Sequence, residues 1–201
     1  NFDILFARSI DGGLTFSTPD NLSENTGFSG GQQIVAEGNN VYVVWQDNTG
    51  LDPGNFDILF ARSIDGGLTF STPDNLSENT GFSTAPQISS EGNNVYVVWR
   101  DTTGLNPGNS DIFFSRSTDG GQTFSTPPDN NISENTTGFS SSPQISSEGN
   151  NVYVVWTESA LGNFEVFFAT SINGGQTFST AEPLSEEDGN ESSDPQISSE
   201  G

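Results

Sequence analysis

The sequence predicts an all-β fold: β-propeller blades, each a four-stranded antiparallel meander of about 54 residues, with three full blades plus one split blade. Three observations carry this. The chain repeats itself with a period near 54 residues, and residues 1–29 and 55–83 are identical. Each period holds four short β-prone runs separated by Gly, Asn and Pro turn signals. No stretch keeps a helical spacing of apolar residues over as many as ten positions.

The first run of a period follows a proline and is short, Gln87-Ile88-Ser89-Ser90, with counterparts starting at Gln33, Gln144 and Gln196. Glu91-Gly92-Asn93-Asn94 then reads as a hairpin turn, because Gly and Asn tolerate positive φ. The second run, Val95-Tyr96-Val97-Val98-Trp99, is matched at Val41–Trp45 and Val152–Trp156. It is continuously apolar rather than alternating, so both of its faces must be covered. One meander cannot cover both faces alone, whereas radial stacking of meanders can. The third run is Asp57–Arg62, and the fourth is expected at Leu68–Ser71, followed by a polar connection from Thr72 to Ser83.

Between the third and fourth runs lies the most regular feature of the chain, Ser-x-(Asp/Asn)-Gly-Gly-x-Thr-Phe at a constant spacing. Its members are Ser9, Asp11, Gly13, Thr15 and Phe16; Ser63, Asp65, Gly67, Thr69 and Phe70; Ser117, Asp119, Gly121, Thr123 and Phe124; and Ser171, Asn173, Gly175, Thr177 and Phe178. Glycine supplies positive φ, and the short Ser and Asp side chains bond nearby backbone N–H groups. This pattern resembles the Asp-box, or BNR repeat, of sialidase-like β-propellers, over essentially the whole chain. The resemblance implies a structural turn between the third and fourth strands of a blade, away from any catalytic centre. It is closest to long, non-catalytic Asp-box repeat proteins found outside prokaryotic cells, particularly archaeal ones.

With the Gln-Ile-Ser-Ser run as strand one, the units are 1–29 (strands three and four), 30–83, 84–140, 141–192 and 193–201 (strand one). The split unit lacks its second strand. Exposed strand edges are templates for pairing. The expectation is therefore self-association, head to tail or by strand completion, or continuation of a longer chain. The third unit gains residues around Pro127-Pro128 and Thr136-Thr137, in connections.

Composition narrows the partners. Against 27 acidic residues stand four arginines, with no lysine or histidine, for a net charge of −23. Such a surface repels nucleic acid and anionic membranes, and favours cations. No apolar run reaches the roughly 20 residues of a membrane-spanning helix, so no membrane insertion is expected. With no cysteine, disulfides and thiolate metal sites are excluded.

Enzymatic activity is not expected. The family's Arg-Ile-Pro motif is absent, and Arg8, Arg62 and Arg116 occupy equivalent positions of successive blades, where they cannot converge on one carboxylate. Each is expected to pair with a local acid or to cover apolar surface with its stem, while Arg100 stands alone after Trp99. Lack of His, Cys and Lys removes most nucleophile–base pairs. Trp45, Trp99 and Trp156 read as core rather than as a sugar-stacking platform. Asp47, Asp52 and Asp57, with Asp101 and Asp111 in the next copy, offer oxygen ligands of the kind that suits Ca²⁺. Sequons at Asn21, Asn75, Asn131, Asn135 and Asn190 fall in polar connections suited to glycosylation and, with the resemblance, point to an extracellular or cell-surface chain. The leading expectation is an extracellular structural or adhesive repeat protein assembling through open blade edges. The alternative is a glycan-binding, sialidase-like lectin or remnant glycoside hydrolase.

Overall fold

The computed structural model describes residues 2–49, 54–103, 109–125, 131–133, 138–159, 162–185 and 188–199. Among these, every regular element is a strand. The elements are β1 (Leu5–Phe6), β2 (Asp20–Asn21), β3 (Ser29–Glu37), β4 (Asn40–Asp47), β5 (Asp57–Ser63), β6 (Asp74–Asn75), β7 (Ser83–Glu91), β8 (Asn94–Asp101), β9 (Asp111–Ser117), β10 (Ser140–Glu148), β11 (Asn151–Glu158), β12 (Glu165–Ser171) and β13 (Glu182–Pro183). They form antiparallel meanders in chain order: β1-β2, β3-β4-β5-β6, β7-β8-β9 and β10-β11-β12-β13. In the third of these, an isolated bridge from Phe113 to Asn131 takes the place that Leu59 and Asn75 hold in the second.

The core lies between blades rather than inside any of them. Tyr42, Val44, Ile58 and Phe60 of one blade meet Val95, Val97, Trp99 and Phe113 of the next. One step on, Tyr96, Val98, Ile112 and Phe114 meet Val152, Val154, Trp156 and Phe167. The continuously apolar second strand therefore sends alternate side chains to opposite neighbours, which the pleat of a strand requires. Trp45, Trp99 and Trp156 are wholly buried, so none offers a stacking face.

The fourth strand differs from its expected place. Pairing with β5 occurs at Asp74–Asn75, not at Leu68–Ser71. The amides of Leu68 and Thr69 donate instead to the Asp65 carboxylate, so they cannot join the ladder. Ser71 N donates to Arg62 O, a single bond back to β5, and the ladder itself resumes past Pro73.

Candidate functional site

The two ends of a blade are built differently, roughly 20 Å apart along the strands. At one end, β5 runs into the Ser63–Phe70 turn. Ser63 Oγ donates to Asp65 Oδ1 at 2.7 Å and accepts from Gly67 N at 2.8 Å, while Thr69 Oγ1 donates to Asp65 Oδ2 at 2.7 Å. Ser9 with Asp11, and Ser117 with Asp119, make the same bonds. The hydroxyl of Thr15, its amide and the Ser9 hydroxyl hold the Asp11 carboxyl down at about 2. Asp65 and Asp119 lie well below the ordinary carboxylate range for the same reason. In the fourth copy Asn173 keeps the backbone bonds, but its Nδ2 donates to Thr177 Oγ1.

This turn is also the joint between blades. Phe70, Phe124 and Phe178 meet Phe6, Phe60 and Phe114 of the preceding blade edge-on, each pair 4.8 Å between ring centres. Arg8, Arg62 and Arg116 donate to the carbonyls of Gly66, Gly120 and Gly174 in the following blade, at 3.3, 3.3 and 3.1 Å. Their partners are thus backbone carbonyls across the joint, not local acids. All of this chemistry is spent on structure.

The opposite end carries buried carboxylates in register. Asp47 faces Asp57, Asp101 faces Asp111, and Glu158 faces Glu165. Asp47 accepts from Ser29 Oγ (2.6 Å), Asn25 Nδ2 (2.7 Å) and Thr49 N (2.9 Å). Asp101 accepts from Ser83 Oγ, Asn79 Nδ2 and Trp99 Nε1 at 2.8, 2.8 and 3.0 Å. Burial pushes the Asp47 carboxyl up, yet the bonds from Ser29, Thr49 and Asn25 outweigh it and the net shift is downward. Asp57 accepts from Ser77, and Asp111 from Asn131. These acids clamp strand ends to loops. Among the described residues no three acidic side chains gather as a ligand set; Asp52 lies outside them.

Beside the clamps, the first strand of each of the three longer meanders breaks register, between Gly30 and Gln33, Thr84 and Gln87, and Ser141 and Gln144. The extra residue is left-handed each time: Gly31 (φ 62°), Ala85 (53°) and Ser142 (50°), with Asp194 (53°) at the same place in the last inner segment. Three of these are not glycine, and such backbone costs about 1–3 kcal/mol and gathers at functional sites. The residues propping the bulges also change. Gln46 Oε1 accepts from Ala85 N at 3.1 Å, and Thr157 Oγ1 accepts from Asp194 N at 3.2 Å. At the equivalent position between them stands Arg100, a guanidinium with nothing to accept with. It lies 4.5 Å over the Phe139 ring, half-buried, and its Nε has no hydrogen-bond partner. Burial lowers its pKa. Among the described residues no carboxylate pairs with it. Here the repeats cease to be uniform: Gly, Ala, Ser and Asp follow one another on the bulge, and Gln, Arg and Thr beside it.

Sequence reasoning missed this cluster. Its signals were the varying residue two positions before each inner Gln, and the lone Arg100. The sequon asparagines are engaged locally: Asn21 and Asn75 accept from the amides and hydroxyls of Ser23 and Ser77, and Asn131 from Ser133. Asn190 is exposed, and Asn135 lies outside the described residues.

No known family profile matches the sequence, and no curated protein resembles it at the sequence level. Solved structures do resemble the fold. A family 117 glycoside hydrolase of the marine bacterium Zobellia galactanivorans superposes with a TM-score of 0.54 at 10% identity, over 91% of this chain and 62% of that one. The sialidase of Trypanosoma rangeli in complex with sialic acid gives 0.53 at 12%, over 89% and 33%. The β-1,2-mannobiose phosphorylase of Listeria innocua gives 0.51 at 12%, over 77% and 58%. The chain thus spans about three-fifths of the hydrolase and a third of the sialidase. Its fold is that of the sialidase-like and glycoside hydrolase β-propellers. The expectation that the chain is not an enzyme is corrected by these likenesses, since the hydrolase, the sialidase and the phosphorylase it superposes on are enzymes. That expectation rested on the absent Arg-Ile-Pro motif, on arginines that do not converge, and on the lack of His, Cys and Lys; a pair of suitably spaced carboxyl groups, all that many glycoside hydrolases need, is not decided by any of these in a chain with 27 acids.

Proposed function

We propose that this chain engages glycans as part of a sialidase-like propeller, in the manner of a lectin or glycoside hydrolase. Its working surface is the blade end bearing the inner-strand bulges. One observation carries the reading: around strained backbone at that end the residues on and beside the bulge differ in every repeat, while the turn end keeps its Ser, Gly, Thr and Phe throughout and changes its acid only at Asn173. The fold's likeness to carbohydrate-active enzymes supports this over an adhesive scaffold. Arg100 gives the surface a cation whose planar fork matches a carboxylate or sulfate, which favours an acidic sugar in an otherwise acidic protein.

The repeated turn is read here as the Asp-box of that superfamily, and the chain as extracellular, where glycans are displayed. The test is a panel of sialosides, other acidic glycosides and neutral oligosaccharides, scored for turnover and for binding. An acidic glycan should be bound or cleaved, and Arg100→Ala should weaken it about tenfold or more, the effect of losing a hydrogen-bonded charge. No binding or turnover across the panel would overturn the proposal.

A further inference from the structure

One joint between blades lacks a contact that its neighbours have. The residue after each buried tryptophan stands on the second strand of one blade, facing the bulge of the next. Gln46 Oε1 accepts from the Ala85 amide at 3.1 Å, and Thr157 Oγ1 accepts from the Asp194 amide at 3.2 Å. In the joint between them, Arg100 and Ser142 hold the same two places. A guanidinium carries five N–H donors and no acceptor. The Ser142 amide therefore meets a donor where its counterparts meet an oxygen. The Ser142 hydroxyl is turned to Asp194 Oδ1, at 3.5 Å.

The guanidinium is short of partners as well. Its Nε is buried without a hydrogen bond, and among the described residues no acceptor pairs with the rest of the group. Arg62 and Arg116, by contrast, each donate to a glycine carbonyl of the following blade. A buried donor left unmet is costly, so something must repay it. What holds Arg100 is the Phe139 ring, 4.5 Å from its Cζ. That contact covers one face of the plane and leaves the N–H edge free. Phe139 leads into the strand that carries Ser142, so ring, guanidinium and bulge amide share one place.

We propose that Arg100 and the Ser142 amide form an oxyanion seat at this joint. One oxygen of the anion accepts from the Ser142 N–H and from the guanidinium, standing where Gln46 and Thr157 supply an oxygen in the other joints. A second oxygen accepts from the other arm of the guanidinium fork. The ligand class is a carboxylate or sulfate, free or carried on a sugar. For a sugar acid the seat rests on the glycan reading above and names the group that this face holds; for a free anion it stands alone. The chain's net charge of −23 repels anions at long range, so occupancy depends on these local donors.

The test titrates the 201-residue chain with sodium sulfate at a constant ionic strength of about 0.15 M, following the amide resonances. The Ser142 amide should shift as one sulfate binds per chain. Arg100→Gln brings in the residue of position 46, whose oxygen already serves a bulge amide. The variant should fold and bind sulfate about tenfold more weakly or worse. Arg100→Thr, with the residue of position 157, should do the same. No sulfate bound by the parent, shifts that bypass Ser142, or unchanged affinity in both variants would overturn the proposal. Methyl glucuronide identifies the source of the anion. If it displaces sulfate and methyl glucoside does not, the seat takes a sugar acid; if neither displaces it, the seat takes the free ion. A sulfate seat in a chain that binds no glycan would keep this proposal and remove the glycan reading. Glycan binding in a chain without the seat would do the reverse.

Discussion

Residues 2–29 and 56–83 share every letter yet not their surroundings. The turn is the same in both: Ser9 and Asp11 make the bonds that Ser63 and Asp65 make. The strand leading into it is not. β5 runs for seven residues and β1 for two. Phe60 is wholly buried and Phe6 half-buried; Phe16 is 66% exposed, while Phe70 packs on Phe6. The turn is fixed by side chains within eight residues of sequence, so it forms without neighbours. The strand is fixed by what lies beside and above it.

The largest test of this contrast compares buried and open aromatic sites. Trp99→Ala, between two blades, should cost about 3–5 kcal/mol in denaturant unfolding. Phe16→Ala, on the uncovered first turn, should stay within about 0.5 kcal/mol. Comparable losses would show the first hairpin to be packed after all.

A pair of glycines separates backbone from joint. Gly13 (φ 86°) and Gly121 (φ 74°) hold the same place in the turn, but a Cβ on Gly121 would lie 2.8 Å from Phe60, and one on Gly13 meets nothing. Valine at Gly13 should cost about 1–3 kcal/mol from strain alone. At Gly121 the forced shift of a packed ring adds about 1–3 kcal/mol more. Equal melting of the two variants would mean that the turn does not set the blade joint.

The smallest effect concerns the one turn without an acid. Asn173→Asp should gain the bond from the Thr177 hydroxyl that Asp65 receives from Thr69. A carboxyl held low in the folded state contributes stability above its unfolded value, near 3.8, which is lost as pH falls through the folded value. Asp11 is held at about 2, and Asp65 and Asp119 lie lower still. The variant should therefore melt slightly above the parent at pH 7 and lose that advantage as pH falls from about 4 to 2 and below. An unchanged difference across that range would exclude the carboxylate as the cause.

The repeat, the turns and the doubly covered second strand were legible in the sequence because each is a local pattern. The fourth strand was misplaced because Asp65 captures the amides of Leu68 and Thr69, a competition no propensity records. The partners of Arg8, Arg62 and Arg116 lie 58 residues away, across the joint. The bulges depend on register against a partner strand, and the isolation of Arg100 depends on the next blade, so neither could be read from spacing.

If glycans meet this chain at the bulge end of its blades, amide chemical-shift mapping during titration with an acidic oligosaccharide will show where. Shifts should cluster at Ala85, Arg100, Ser142 and Asp194, with the Ser63–Phe70 and Ser117–Phe124 turns unmoved. Shifts confined to the turns, or none at saturating sugar, would contradict that placement.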